Sequence, residues 1–406
     1  MGKILRKQFL EHIAQTSPSP MLVEVAHAAG SYFYTPEGKR YIDLVAGVSV
    51  SNVGHCNPKV VEAVQTQAAK YMHVMVYGEV VETPQVEYAA RLAELLPDPI
   101  SSIYFVSSGA EVVEGAMKLA KRYTARREII SMRRAYHGST QGAMSLMGSP
   151  EGEEWTEVFR PLLPECRAIE FNSFEDLELI TTSTACVISE VVQGEAGVRL
   201  PEAGYLEALR ARCSEVGALL IFDEIQSGMG RTGELFGALK YGVTPDVICL
   251  AKALGGGMPL GAFAASAEIM GTLQHNPVLG HITTFGGHPV CCAAGLAALS
   301  YLTDNRLVEE VEAKGALFER VLSTHPSVLE IRRLGLLMAI ELGEAPKLYR
   351  LMEIFKEEGV MSDWFLFCDT AFRISPPLTI SVAEIEDACS IITRSLDRIV
   401  NEFNIK

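Results

Sequence analysis

The sequence lacks several features that would each define a class of protein. No run approaches the roughly 18 consecutive apolar residues of a membrane-spanning helix, and residues 1–10 carry scattered charge instead of the apolar core of a secretory signal. Lys and Arg total 35 against 50 Asp and Glu, which gives a net charge of −15, and the basic residues form no block. We therefore expect neither a membrane nor a nucleic acid to be a partner.

The nine cysteines also lack the paired spacing of a metal site. Their number is odd, and Cys291 and Cys292 are adjacent, which suits neither a zinc knuckle nor a simple disulfide. We expect reduced, mostly buried cysteines, no metal site and a cytoplasmic protein.

Along much of the chain, short apolar runs alternate with amphipathic helical patterns. Several runs are apolar throughout, as expected for strands that are covered on both faces. The alternation predicts an α/β fold with a mainly parallel sheet. The predicted strands are 103–107, 128–132, 185–190, 218–223, 247–250 and 261–265, and two of the predicted helices are 110–123 and 205–216.

The pattern changes after residue 288, where helical patterns such as 306–322 and 383–403 dominate and 328–342 resembles strands. We expect a second, smaller α+β domain there. The N-terminal segment is expected to pack with it, and a Pro-Glu-Gly turn within 30–44 predicts a hairpin. The predicted division is 1–57 as the N-terminal part of the small domain, 58–290 as the large ligand-binding domain and 291–406 as the C-terminal part.

Two residues that follow apolar strands are candidates for catalysis. Asp223 ends the run 218–223, at the strand end where α/β folds bind ligands, although such an acid can also simply cap a turn. Lys252 follows the run 247–250 and precedes three glycines. A lysine that is partly desolvated there has a lowered pKa and can act as a nucleophile, whereas most lysines lie on the surface. Gln226 is near enough to Asp223 to face the same ligand.

The segment Ser107-Ser108-Gly109-Ala110 joins a predicted strand to a predicted helix. Small residues at a helix N-terminus leave N–H groups unpaired at the positive end of the helix dipole, and this arrangement suits a phosphate. Ser108 could also serve only as an N-cap.

A further motif, Gly228-Met-Gly-Arg-Thr-Gly233, fits the dinucleotide pattern Gly-x-Gly-x-x-Gly. A dinucleotide fingerprint directly follows its strand and opens a helix. Here residues 224–227 intervene and little chain remains before Pro245, so we disfavour a nicotinamide-dependent oxidoreductase.

Taken in order, these segments resemble class III aminotransferases, the pyridoxal 5′-phosphate (PLP) enzymes that act on ornithine, acetylornithine and 4-aminobutyrate. The resemblance runs from Tyr41 to Leu378 and is clearest in Phe222-Asp-Glu-Ile-Gln-Ser-Gly-Met-Gly-Arg-Thr-Gly233, followed by Pro245-Asp246 and Ala251-Lys252. It implies the PLP-dependent transferase fold type I, with a mainly parallel seven-stranded sheet, and PLP as the cofactor.

The resemblance also implies roles for individual residues. Lys252 would form the internal Schiff base, and Asp223 would pair with the pyridine nitrogen. Gln226 would contact the ring hydroxyl, and Tyr136 would stack on the ring. The other implied cofactor-binding residues are Ser108, Gly109 and Ala110 around the phosphate, together with His137 and Glu190. Thr284, in Thr284-Phe-Gly-Gly-His-Pro289, resembles a threonine that reaches the cofactor of the neighbouring subunit, which implies a homodimer with shared active sites.

Two more matches concern the substrates. Arg373 resembles the arginine that binds a substrate carboxylate, and Glu195 resembles the glutamate that pairs with this arginine when no carboxylate is bound. Such a pair would let one site accept both an ω-amino donor and 2-oxoglutarate. The resemblance therefore implies a transaminase with a small amino donor and a 2-oxo acid as its partners.

The sequence departs from the family pattern at several positions. Val191 stands where proline is usual, His288 where asparagine is common, and Val48 and Pro18 where ornithine aminotransferases carry tyrosines. Valine and proline cannot supply the hydrogen bond of a tyrosine hydroxyl. We therefore favour an acetylornithine-like donor, with 4-aminobutyrate or ornithine as alternatives. A PLP aminomutase, racemase or decarboxylase, or an inactive binding protein, would be compatible with the same scaffold.

Overall fold

The computed structural model describes residues 2–148 and 156–404. The strands in these residues are β1 His27–Ala29, β2 Tyr32–Tyr34, β3 Arg40–Asp43, β4 Ser102–Val106, β5 Glu128–Met132, β6 Cys166–Ile169, β7 Thr184–Glu190, β8 Leu219–Asp223, β9 Val247–Leu250, β10 Gly261–Ala265, β11 Glu330–Leu334, β12 Leu337–Glu341, β13 Val360–Met361, β14 Trp364–Phe365 and β15 Cys368–Ile374. The α-helices are α1 Gly2–His12, α2 Ala46–Ser49, α3 Pro58–Lys70, α4 Thr83–Leu95, α5 Gly109–Thr124, α6 Gln141–Met144, α7 Tyr205–Val216, α8 Gly237–Tyr241, α9 Ala267–Gly271, α10 Pro289–Asp304, α11 Leu307–Leu322, α12 Ala345–Glu358 and α13 Val382–Asn404.

The largest sheet has seven strands in the order β4-β10-β9-β8-β7-β5-β6. Only β10 runs antiparallel to its neighbours, so the prediction of a mainly parallel α/β sheet is confirmed. The six predicted strands all form, with ends within one residue of the prediction or at it. The sequence analysis missed β6, a short edge strand in which only Ile169 is buried, because it lacks the apolar run of a central strand.

Helix α5 shows how local sequence fixes the packing on this sheet. Its N-cap Ser108 accepts a hydrogen bond from the Glu111 N–H, and the Glu111 carboxylate accepts one from the Ser107 N–H at 2.7 Å. A β-carbon at Gly115 would overlap the Phe263 ring of β10, so glycine allows the helix to approach the sheet closely. This packing sets the position of the helix N-terminus at the end of β4.

Both ends of the chain contribute to a second region. Strands β2 and β3 form the predicted hairpin, and β13 pairs parallel with β3 through Val360 and Ile42. Strands β11, β12, β15 and β14 form a separate antiparallel sheet. One apolar core joins Leu44 and Val53 to α11, α12 and α13. This shared core agrees with a small domain built from both ends, while the boundaries at residues 57 and 290 stay a prediction.

The segment 228–233 forms a loop that opens no helix, since the next helix begins at Gly237. Its Arg231 is fully buried and donates to the carbonyl oxygens of Leu336 and Pro376 and to Asn52 Oδ1. The glycine motif therefore ties three distant segments together, which explains it without a dinucleotide. In the described residues no helix is long and apolar enough to cross a membrane.

Candidate active site

Strands β4, β5, β7, β8 and β9 end at one edge of the large sheet, and the segments that follow them surround a cavity of about 500 Å³. Parallel strands place their carboxyl ends together, which is where α/β proteins bind ligands. The predicted site residues that line the cavity are Ser108, Gly109, Ala110, Tyr136, His137, Glu190, Glu195, Asp223, Gln226 and Lys252.

The Asp223 carboxylate is held by two hydrogen bonds at the end of β8. Its Oδ2 lies 2.7 Å from Nδ1 of His137, and its Oδ1 accepts from the Ile225 N–H at 2.9 Å. Both side chains are buried. These contacts fix the direction in which the carboxylate faces the cavity.

Lys252 follows β9 and opens a short 3₁₀ helix, Lys252–Gly255. Its backbone has a φ of 48°, in the left-handed region that non-glycine residues rarely adopt. Strain of this kind concentrates at functional sites, where the surrounding structure holds it. Burial lowers the pKa of the Lys252 amine, and no hydrogen bond or ion pair of that amine occurs within the described part of the chain. The amine is therefore a neutral nucleophile over a wider pH range than that of a surface lysine.

The N-terminus of α5 opens on the same cavity. Ser108 caps the helix, while the N–H groups of Gly109 and Ala110 have no hydrogen-bond partner among the described residues. Together with the helix dipole, two free N–H groups suit a phosphate. Gly138 is required nearby, because a β-carbon there would lie 2.8 Å from the Ala110 β-carbon.

Several buried polar atoms around the cavity lack a partner in the described residues. They are Nε2 of Gln226, Nε2 of His137 and Oε2 of Glu190. Buried polar groups are nearly always hydrogen-bonded, so such a cluster indicates a ligand-binding site. Burial, reinforced by the nearby Asp223 carboxylate, raises the pKa of Glu190 well above its usual value.

Arg373 lies behind Glu195 and does not itself line the cavity. Its Nη2 donates to Glu195 Oε1 at 2.9 Å, and the other oxygen of Glu195 accepts from the Leu366 N–H at 3.1 Å. Burial alone would lower the pKa of Arg373, but the Asp363 and Glu195 carboxylates outweigh it and raise that pKa. The two residues expected to meet therefore form a buried ion pair at the wall of the cavity.

Besides Arg373, two more predicted residues lie outside the cavity of this chain. Thr284 is exposed on the segment between α9 and α10. Val48 belongs to α2, Ala46–Ser49, which is a left-handed turn and not a right-handed helix, because all four of its residues have a positive φ. That turn presents Val50 to the cavity instead of Val48.

Further lining residues were not singled out from the sequence. They are Val50, Ser139, Ile225, Met258 and Leu260. Ser139 had a signal, because it follows Tyr136-His-Gly138 and accepts or donates a 3.0 Å hydrogen bond with the Tyr136 hydroxyl. In the described residues no group of three or more His, Cys, Asp or Glu is arranged to hold a metal ion.

A strand-end aspartate, a partly buried lysine and an open helix N-terminus around one cavity define the class of PLP enzymes with fold type I. A family model for class III aminotransferases matches residues 13–396. An acetylornithine aminotransferase from Methanopyrus kandleri is 39% identical to this chain over 394 residues, which cover 96% of this chain and 98% of the relative.

Solved structures of other proteins have the same fold as this chain. An ornithine aminotransferase from Toxoplasma gondii ME49 superposes with a TM-score of 0.89 at 29% identity, covering 99% of this chain and 96% of the other. An (S)-enantioselective omega-transaminase from Thermomicrobium roseum gives 0.88 at 31% identity, with 98% of each chain covered. The chain belongs to the class III aminotransferase family, and it is a PLP-dependent transaminase that acts on a small amino donor and a 2-oxo acid.

The residues present fit PLP. The unpartnered atoms of Gln226 and His137 lie around the cavity, and a β-carbon at Gly194 would overlap Gln226 Oε1, so glycine preserves the room for this amide. The free N–H groups of α5 lie at the end of the same cavity where a phosphate would be expected.

Proposed function

We propose that the enzyme transfers the amino group of an acetylornithine-like ω-amino donor to 2-oxoglutarate. The observation that carries this proposal is the buried Glu195–Arg373 pair, 2.9 Å between nitrogen and oxygen, beside Lys252. The carbon that bears the reacting amine of an ω-amino donor carries no carboxylate, whereas the reacting carbon of 2-oxoglutarate does. A site that must accept both needs a cation that can be neutralised from within. The similarity to acetylornithine aminotransferases supports the choice of donor.

In this proposal Lys252 and Asp223 are the catalytic residues that the protein contributes. Lys252 would hold PLP covalently through Nζ and, once released, would move the proton of the donor carbon as a general base. PLP supplies an electron sink for the carbon that bears the amino group. Asp223, oriented by His137, would keep the ring nitrogen protonated.

The remaining residues would orient the cofactor. Gly109 and Ala110 would bind the phosphate through their N–H groups, with Ser108 shaping the turn, and Gln226 would donate from Nε2 to the ring oxygen. Tyr136 would stack on the ring face. Glu190 is proposed to stay neutral near Asp223, so that it adds no second negative charge beside the ring nitrogen.

We also propose a homodimer in which Thr284 completes the site of the other subunit. Two neighbouring segments expose large apolar side chains. The His73 ring of one segment lies tilted against the Phe285 ring of the other, with ring centroids 4.8 Å apart. Apolar patches of this kind usually mark an interface. The exposed side chains are Met72, Val74, Met75, Val80, Val81, Val278, Leu279, Ile282 and Phe285.

Other details are proposed on narrower grounds. Ornithine and 4-aminobutyrate remain alternative donors, because the turn Ala46–Ser49 removes Val48 from the cavity wall and the donor pocket must then be formed by other residues such as Val50.

A cytoplasmic location agrees with nine free cysteines, which suit a reducing compartment.

The test is a panel of donors with 2-oxoglutarate as the common acceptor and glutamate formation as the signal. The panel contains acetylornithine, succinylornithine, ornithine, 4-aminobutyrate and lysine. We expect acetylornithine to give the highest kcat/KM. A flat response with no donor above background would contradict the proposal.

Lys252→Ala provides the control for the cofactor. Borohydride reduction of the wild type followed by peptide mapping should tag Lys252 alone, and the variant should carry no tag. A tag on any other lysine would overturn the assignment of Lys252.

A further inference from the structure

Arg373 has two carboxylate partners. Glu195 accepts a hydrogen bond from Nη2, while Oδ1 of Asp363 lies 2.9 Å from Nε on the other side of the guanidinium. The Nη1 group is buried and has no partner among the described residues, and the guanidinium carbon lies 4.6 Å from the centre of the Phe365 ring. In the described residues Nε also lacks a hydrogen bond, so its 2.9 Å contact with Asp363 is an ion pair without hydrogen-bond geometry. The Nη1 group contacts neither carboxylate and is free for a third one.

The two carboxylates are held in different ways. Asp363 belongs to the segment that folds back on Arg373, and its carbonyl oxygen accepts a 2.9 Å hydrogen bond from the Arg373 main-chain N–H. The next residue, Trp364, pairs with Phe372 across β14 and β15. Glu195 lies on a loop after β7, and among the described residues its side chain is held only by Arg373 and the Leu366 N–H. Glu195 can thus rotate away by breaking two hydrogen bonds, whereas Asp363 is fixed to the same sheet as Arg373.

This difference matters because Arg373 is 1% exposed. A buried cation that loses its only partner is strongly disfavoured, and a long side chain without an anchor also loses its orientation. If Glu195 were the only partner, each exchange of Glu195 for a substrate carboxylate would pass through such a state.

We propose that Asp363 is the permanent counterion of Arg373, a positioning residue that keeps the guanidinium paired and in place when Glu195 gives way to the carboxylate of the 2-oxo acid. This inference rests on the carboxylate-binding role proposed above for Arg373. Asp363 thereby determines specificity for the acceptor and not for the donor, whose half-reaction proceeds with Glu195 closed on Arg373. Arg373 in turn stays on the Phe365 ring through both halves of the cycle.

The test measures the two half-reactions of the PLP-loaded enzyme separately by stopped-flow absorbance. Asp363→Asn keeps the shape of the side chain and removes its charge, and Asp363→Ala removes the carboxylate altogether. We expect both variants to raise the apparent KM for 2-oxoglutarate about tenfold, the effect of losing one charge-assisted contact. The donor half-reaction, and reaction of the amino form with butanal, an acceptor without a carboxylate, should stay within about twofold of the wild type.

Asp369→Asn is the matched control, because Asp369 is an exposed aspartate on the same hairpin. In the part of the chain that the structure describes, its side chain is hydrogen-bonded only to the Tyr349 hydroxyl. It should leave both half-reactions unchanged. Equal loss in both half-reactions of Asp363→Asn would show a merely structural role and overturn the inference. Arg373→Ala separates the two proposals. If it raises the KM for 2-oxoglutarate and Asp363→Asn does not, only the inference fails; if neither raises it, the role of Arg373 itself is wrong.

Discussion

At the scale of single residues, the environment of Lys252 leads to a pH-dependent prediction. Burial lowers the pKa of its amine from the ordinary 10.5, so the neutral form is present at lower pH than for a surface lysine. The rate at which cofactor-free protein captures PLP should rise with pH and reach its plateau below 10.5. Stopped-flow absorbance over a pH series would measure this rate.

The background for that measurement comes from Lys252→Ala, which reveals capture by surface lysines. After subtraction, a rate that continues to climb through pH 10.5 would mean that the amine behaves as a solvent-exposed lysine. The prediction that burial lowers the pKa of the Lys252 amine would then be wrong.

Single residues also show what the sequence could reveal. The positions of Lys252 and Asp223 at the cavity were predictable because Asp223 ends one apolar strand and Lys252 follows another, and the ends of both strands must lie at the ligand edge of a parallel sheet. Asp363 was not, because its contact with Arg373 depends on a hairpin whose register pairs Trp364 with Phe372. No local pattern encodes that meeting of two side chains ten residues apart.

At the scale of secondary structure, the close contact of α5 with β10 gives a stability prediction. Alanine favours helix over glycine, yet Gly115→Ala would drive a β-carbon into the Phe263 ring. We expect overpacking to cost about 1–3 kcal/mol and to lower the melting temperature. Calorimetry of the cofactor-free protein would measure the change without a contribution from bound PLP.

Gly271→Ala is the matched control, since Gly271 also lies in a helix and a β-carbon there would meet nothing within 4 Å. It should leave the melting temperature unchanged or raise it slightly. Equal effects of the two substitutions would show that the contact with Phe263 is unimportant.

The predicted elements were most accurate where pattern and burial agree. Strands β5, β9 and β10 coincide with their predicted ranges because each is apolar and bounded by turns or helices. The turn Ala46–Ser49 was invisible in the sequence, since Val48 is a residue that normally avoids a positive φ. Tertiary contacts therefore decide which of Val48 and Val50 faces the cavity.

At the scale of the whole molecule, the exposed apolar segments around residues 72–81 and 278–285 predict the effect of a charge at the proposed interface. Val81 is 89% exposed, and Val81→Asp should shift the protein from dimer toward monomer. Because Thr284 would then no longer reach the other site, the variant should also lose PLP more readily. Sedimentation velocity and the absorbance of retained PLP would measure the two effects.

Leu329→Asp is the control, because Leu329 is 67% exposed but lies beside β11, away from these segments. It should leave the assembly unchanged. A monomeric wild type, or a dimeric Val81→Asp variant with full PLP, would contradict the proposed interface.

The left-handed turn Ala46–Ser49 predicts which configuration, D or L, its residues would best have. Residues 46–49 all adopt the conformation that is natural for D-amino acids, yet three of them are L-residues with side chains. A semisynthetic protein with D-valine at position 48 should therefore fold more stably than the natural one. A stretch of backbone in the mirror-image conformation thus directly precedes Val50, a residue of the cavity wall.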